Sequence, residues 1–211
     1  SYRPQQTRLW QETTPLRETI MGAMMMIVLA ALLVTAVYGV MLYNGLVQLK
    51  HNVARAWSNI DVLLKQRHDE LPKLVETCKQ YMQFEQETLT RVMEARSRVA
   101  TARESGNVGS LGQAEGGLRA TLGHLFAVAE AYPDLKSNQT FQQLQTRISA
   151  LENAIADRRE FYNESVNVNN VRIEQFPASL LAGFFGFKPA ELLEFAATET
   201  ADVDLGTLFG S

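Results

Sequence analysis

The chain has 211 residues, with 20 Lys and Arg against 23 Asp and Glu for a formal net charge of −3, and a single cysteine. That balance lacks the basic stripe a nucleic-acid binder needs, and one thiol excludes a disulfide framework and any multi-thiolate metal site. A mean hydropathy of −0.12 suits one soluble domain of ordinary size, but it averages unlike parts.

Residues 1–18 (SYRPQQTRLWQETTPLRE) form a short polar arm, with Trp10 placed to sit near a membrane interface. Ser1 in first place fits removal of an initiator Met, and the polar lead makes the next segment a retained anchor rather than a cleaved leader. No charge then occurs between Glu18 and Lys50, and residues 19–42 read as a transmembrane helix. About 20 apolar residues at 1.5 Å rise cross a hydrocarbon core of about 30 Å. Arg3, Arg8 and Arg17 precede the span against Lys50 and Arg55 soon after it, which leans the arm inward and the body outside the cytoplasm.

Residues 43–175 carry helical periodicity throughout. Leu46, Leu49, Val53, Ala56, Trp57, Ile60 and Leu64 form one stripe, so the span is expected to run on as a stalk. Pro72 lacks a backbone donor and is expected to kink or restart the helix. A second stretch follows from Leu71 to about Arg103, on Val75, Cys78, Met82, Leu89, Val92 and Val99. A glycine-rich turn spans residues 105–112, and a shorter helix follows from about Gln113 to Ala131, weakened by Gly116, Gly117 and Gly123. Ser137 or Asn138 caps a long helix to about Ile173 with a heptad core of Phe141, Leu144, Ile148, Leu151, Ile155 and Tyr162. The expected fold is all-α: a transmembrane helix continuing into an antiparallel, coiled-coil-like bundle of about four long helices.

Two blocks carry a family resemblance. YNGLVQLKHNVARAWSNIDVLLKQRHDELPKLVETCKQY holds Tyr43, Asn44, Trp57, Asp61, Arg67 and Pro72; AEAYPDLKSNQTFQQLQTRISALENAIADRREFYNESV holds Tyr162 and Asn163 and is followed by Phe176-Pro177. Together they resemble the LemA family over residues 43–188. Leu63, Gln66 and Lys73 depart from its commoner residues, a Tyr is missing before Asn169-Asn170, and Phe84 replaces a frequent His, which argues against a histidine metal site there. The resemblance implies a single-pass or lipid-anchored bacterial envelope protein with a long-helix body, and it implies no reaction.

Other chemistry is weighed residue by residue. His68-Asp69-Glu70 resembles a metal cluster on paper, but successive helical residues point about 100° apart, and a charged turn beside Pro72 is the plainer reading. Cys78 lies on the apolar stripe, as a buried thiol would. Glycine pairs near residue 110 lack the lysine of a phosphate loop. No catalytic, cofactor or metal residue is assigned. Trp57, Asp61, Arg67 and Asp69 either satisfy one another between helices or form a surface for a partner, with Tyr162 and Asn163 facing them from the antiparallel helix.

Residues 176–211 are aromatic and then acidic. Phe184, Phe185 and Phe187, beside Leu180 and Leu181, either fold back over the bundle end, dip into the membrane interface, or dock into a neighbouring subunit. The function expected is a non-enzymatic scaffold or interaction protein of the bacterial inner membrane. Its partners would be the lipid bilayer, further copies of itself and another membrane or envelope protein, and not nucleic acid. The alternatives are a transmembrane sensor, for which the arm offers no output domain, and a membrane-bound hydrolase built on His68 and Asp69.

Overall fold

A computed structural model describes the backbone of residues 6–195 and the side chains of residues 17–195. The described residues form six helices and no strand: α1 (Gln6–Lys79), α2 (Gln86–Ser105), α3 (Val108–Ala129), α4 (Pro133–Ser137), α5 (Gln139–Glu174) and α6 (Ala178–Phe185). The expected arm is already helical from Gln6, while the side chain of Trp10 and all of residues 196–211 lie outside the described residues.

At 1.5 Å per residue, the 74 residues of α1 make a rod of about 110 Å. Its apolar run is long enough to cross a membrane and has none of its most apolar stretch buried against the rest of the chain. Beyond the run, α1 and α5 pack antiparallel: Trp57 meets Tyr162, Arg67 meets Glu152, and Tyr81 meets Asn138. The α2–α3 hairpin lies against the distal half of this pair, with Arg103 near the base of α2 reaching Asp61 of α1. One core joins Ile60, Leu71 and Cys78 of α1 to Val92 of α2, Leu118 of α3 and Ile148 of α5. The stripes seen in the sequence are its lining, because a helix buries one face at a time.

Three boundaries differ from expectation. Pro72 does not end or restart α1. Its missing N–H leaves the His68 carbonyl without the usual i→i−4 donor, and Arg96 of α2 supplies one, Nε to His68 O at 3.0 Å. A neighbouring side chain thus repairs the backbone and the helix continues.

The reversal falls instead at residues 80–85, which hold neither Gly nor Pro. Buried Met82 plugs the core there and its N–H returns to Cys78 O at 2.8 Å, while Phe84 points outward. The glycine-rich segment is mostly helix: only Gly106, at φ 68°, needs the left-handed region. Asn107 then caps α3 by accepting the Ser110 N–H at 2.7 Å.

Asn138, one of the two expected caps, does cap α5, accepting the Phe141 N–H at 2.9 Å.

Candidate functional site

Functional side chains gather at three levels along α1. At the top, Arg67 is 1% exposed and its guanidinium holds Glu115 of α3 and, at 2.6 Å, Glu152 of α5. Burial alone would lower the Arg67 pKa, and the charges and hydrogen bonds of the two glutamates outweigh it and raise it. Burial holds the Glu115 carboxyl above the usual carboxylate range, against the pull of Arg67. Arg67 Nε and Glu115 Oε1 have no hydrogen-bond partner among the described residues. A buried arginine shared by two carboxylates thus ties α1 to both α3 and α5.

The polar block nearby is spent in the same way. Asp61 pairs with Arg103, Oδ2 to Nη2 at 2.8 Å, rather than chiefly with Lys65 of its own helix, and this bond holds its carboxyl below the ordinary range. His68, Asp69 and Glu70 do not form a charged turn: all three lie within α1, Asp69 is exposed, and Glu70 is buried and ion-paired at 3.3 Å to both Lys73 and Arg147. The described residues contain no group of three metal-capable side chains. Cys78 is fully buried, and burial pushes its thiol up to about 12, which removes the thiolate a nucleophile requires.

At the middle level, the chain beyond α6 returns as an extended strap, residues 188–195, along α1 and α5. Two asparagines seven residues apart on α5 clamp its backbone. Asn163 donates to Leu193 O at 3.1 Å and accepts from Leu193 N at 2.8 Å. Asn170 does the same with Ala190, at 2.9 Å each way. Tyr162, its ring tilted against Trp57 with centroids 5.4 Å apart, donates its hydroxyl to Glu191 O at 2.9 Å. Leu193 enters the core, and Arg159 lies over the Phe195 ring at 4.0 Å. The Glu194 carbonyl lies so close to Gly112 of α3 that a Cβ there would collide with it. The strap therefore fills the space beneath the α2–α3 hairpin.

At the membrane end, α6 turns back onto the base of the bundle. Ala178 and Ala182 bury against Leu42 and Leu46, small side chains seated on large ones. Gly186, at φ 71°, ends the helix, with Phe187 N returning to Ala182 O at 2.9 Å. Tyr43 packs against Phe185 and Phe187 at centroid distances of 4.8 and 5.9 Å, while Phe176 and Phe184 stay exposed. The Phe176-Pro177 peptide is cis, and Asn44 is exposed on α1. Residues 176–195 thus pack along their own bundle, while Leu180 and Phe184 face outward from α6.

The sequence model of the LemA family matches residues 56–205. The chain belongs to the LemA family. Among curated relatives, magnetosome protein MamQ 2 of Paramagnetospirillum magneticum is 28% identical over 73% of this chain and 65% of the relative. Magnetosome protein MamQ of Magnetospirillum gryphiswaldense is 28% identical over 72% and 64%, and protein LemA of Metamycoplasma hominis 27% identical over 78% and 74%. The chain thus spans just under two thirds of the length of these magnetosome relatives.

The LemA match, the relatives and the apolar helix together make this a membrane-associated helical protein. Of the residues singled out by resemblance, the fold joins Trp57 to Tyr162 and Tyr43 to Phe185 and Phe187, sets Tyr162 and Asn163 on the strap, and gives Asp61, Arg67 and Pro72 separate interhelical partners.

Sequence reasoning missed Arg96, Arg103, Gly112, Glu115, Glu152, Asn170 and the strap. Two signals were available. Asn163 and Asn170 share one face of α5 at two-turn spacing, and Pro72 within an unbroken stripe requires a donor from elsewhere for His68 O.

Proposed function

We propose that the chain is a membrane-anchored, non-catalytic interaction module that pairs with further copies of itself and presents its helix faces to another membrane or envelope protein. The supporting observation is the outer face of the α2–α3 hairpin. Ala95, Ala102, Ala114 and Gly117 line an open groove of about 1040 Å³ there, with Arg91 and Arg98 beside Glu94 on its α2 side. Anchored copies in one bilayer hold this face at one height, so like meets like, and a rim of both signs suits two-fold pairing. Small residues let helices approach closely. The interior supports a non-catalytic reading, since its buried charges are engaged with one another and its thiol is held protonated. We place the module in the inner membrane with the bundle outside the cytoplasm, in line with the arginine-rich segment before the span. The magnetosome names of the relatives fit work at a membrane assembly.

The test is mass measurement of the full chain in nanodiscs, with Gly117→Trp as the variant. Gly117 is exposed and a Cβ there meets nothing within 4 Å, so its backbone accepts a side chain directed into the groove. Dimers or larger assemblies are expected for the natural chain and monomers for the variant; a monomeric natural chain refutes self-pairing. A second reading, a transmembrane sensor, draws support from α1 running unbroken from the span to the far tip.

A further inference from the structure

The height of α6 along α1 is set by contact, because Ala178 and Ala182 rest on Leu42 and Leu46. That height overlaps the end of the apolar run. Ala36, Gly39 and Val40 of α1 share a shallow apolar groove of about 340 Å³ with Leu181 and Phe185 of α6. The outer face of α6, with Leu180 67% and Phe184 84% exposed, therefore stands where acyl chains give way to headgroups.

Beside it, between α1 and the start of the strap, lies a cavity of about 510 Å³ with two unlike walls. Tyr43, Phe185 and Phe187 line it toward the span; Lys50, His51 and Lys188 line it beyond them, together with Val53 and Asn169. Lys50 and His51 stand two turns beyond Tyr43, about 10 Å along the axis, and Lys50 is the first charge after Glu18. No carboxylate lines the cavity, and among the described residues neither lysine has an ion-pair partner. Aromatic below and cationic above, at the depth where hydrocarbon ends, is the division of a phospholipid itself.

We propose that this cavity binds the phosphate group of an anionic phospholipid whose acyl chains descend beside Phe185 and Val40. The assignment rests on the apolar run lying in a bilayer. The lysines supply charge to the phosphate, and the imidazole of His51 adds a donor. Tyr43 and Phe187 form the floor against which the glycerol backbone rests. A lipid bound there also touches the first residue of the strap, Lys188, and so joins the membrane surface to the segment held by Asn163 and Asn170.

The experiment is native mass spectrometry of the full chain in detergent, with dioleoyl phosphatidylglycerol, dioleoyl phosphatidylcholine and glycerol 3-phosphate as probes. One phosphatidylglycerol per chain is expected to be retained over phosphatidylcholine by about thirtyfold, about fivefold for each lysine near the surface. Lys50→Gln/Lys188→Gln, two exposed positions, is expected to erase that preference while hydrogen exchange at Ala190 and Leu193 stays unchanged. Equal retention of the two lipids by the natural chain, a preference that survives in the double variant, or glycerol 3-phosphate binding as tightly as the lipid each overturns the proposal. Carbonate extraction separates this from the underlying reading: the natural chain leaving the membrane would overturn the span, whereas both proteins staying with no lipid preference would overturn only the cavity.

Discussion

Replacing Arg67 with Met tests whether the buried triad organises the bundle. The substitution removes the cation shared by Glu115, 1% exposed, and Glu152, 15% exposed. Met fills much of the space, so the loss is chiefly electrostatic: Glu115 is left charged in the core, whereas Glu152 at the edge can take up water. Breaking a buried pair in this way costs about 3–5 kcal/mol, which multiplies the unfolded fraction about 100-fold or more. Urea unfolding of the full chain in detergent, followed by the helical circular dichroism signal and by hydrogen exchange in α3, reads the loss. Arg67→Met/Glu115→Leu removes both charges and is expected to recover most of the stability, because apolar replacements of buried ion pairs are often neutral or better.

Acidity supplies a further check on the single variant. Burial holds the Glu115 pKa above its unfolded value even with Arg67 present. A raised pKa favours the folded state at low pH and withdraws that help as pH rises through the folded value. The Arg67→Met variant is therefore expected to regain stability on acidification. A loss below about 1 kcal/mol, or a double variant as unstable as the single one, would refute the reasoning.

Other predictions follow from single contacts. Arg96→Ala is expected to cost about 1.5–3 kcal/mol, as for a hydrogen bond from a charged donor, and less in a Pro72→Ala background, where residue 72 regains the N–H that reaches His68 O; additive losses in urea unfolding would sink the repair role. Arg103 holds the Asp61 pKa down, so this pair's contribution is present above the ordinary carboxylate pKa and fades as pH falls through the lowered value. With both side chains about a third exposed, it is worth no more than about 1 kcal/mol, and Asp61→Asn is expected to flatten the acid limb of the stability profile by that amount. Gly112→Ala places a Cβ against the Glu194 carbonyl and is expected to release the strap, seen as faster hydrogen exchange at Ala190 and Leu193. Helix propensity meanwhile favours Ala by about 1 kcal/mol, so α3 itself is not weakened. Asn163→Ala, which loses two hydrogen bonds, is expected to free Leu193 in the same assay.

Periodicity and the charge-free run were enough to establish an all-α chain, a helix fit to cross a membrane, the stripes of the core and a cap at Ser137 or Asn138, because each is local: one helix face, one span length, one side chain over one turn. The places where a chain reverses or continues depend on what lies opposite. Pro72 ends no helix because Arg96, 24 positions later in the sequence, meets the freed carbonyl, and the reversal at residues 80–85 follows from Met82 entering a core built by other helices. Arg67 could be recognised as a family residue, but its partners come from α3 and α5, where nothing adjacent in sequence marks Glu115 or Glu152. The strap was hidden for the same reason. An extended segment of eight residues is too short to show a telling apolar period, and its hold comes from side-chain amides 20 and 30 residues away. Sequence alone determined which faces are apolar; tertiary structure decided which polar groups meet across them, because burying a polar group demands a partner and chain order does not say where that partner will be.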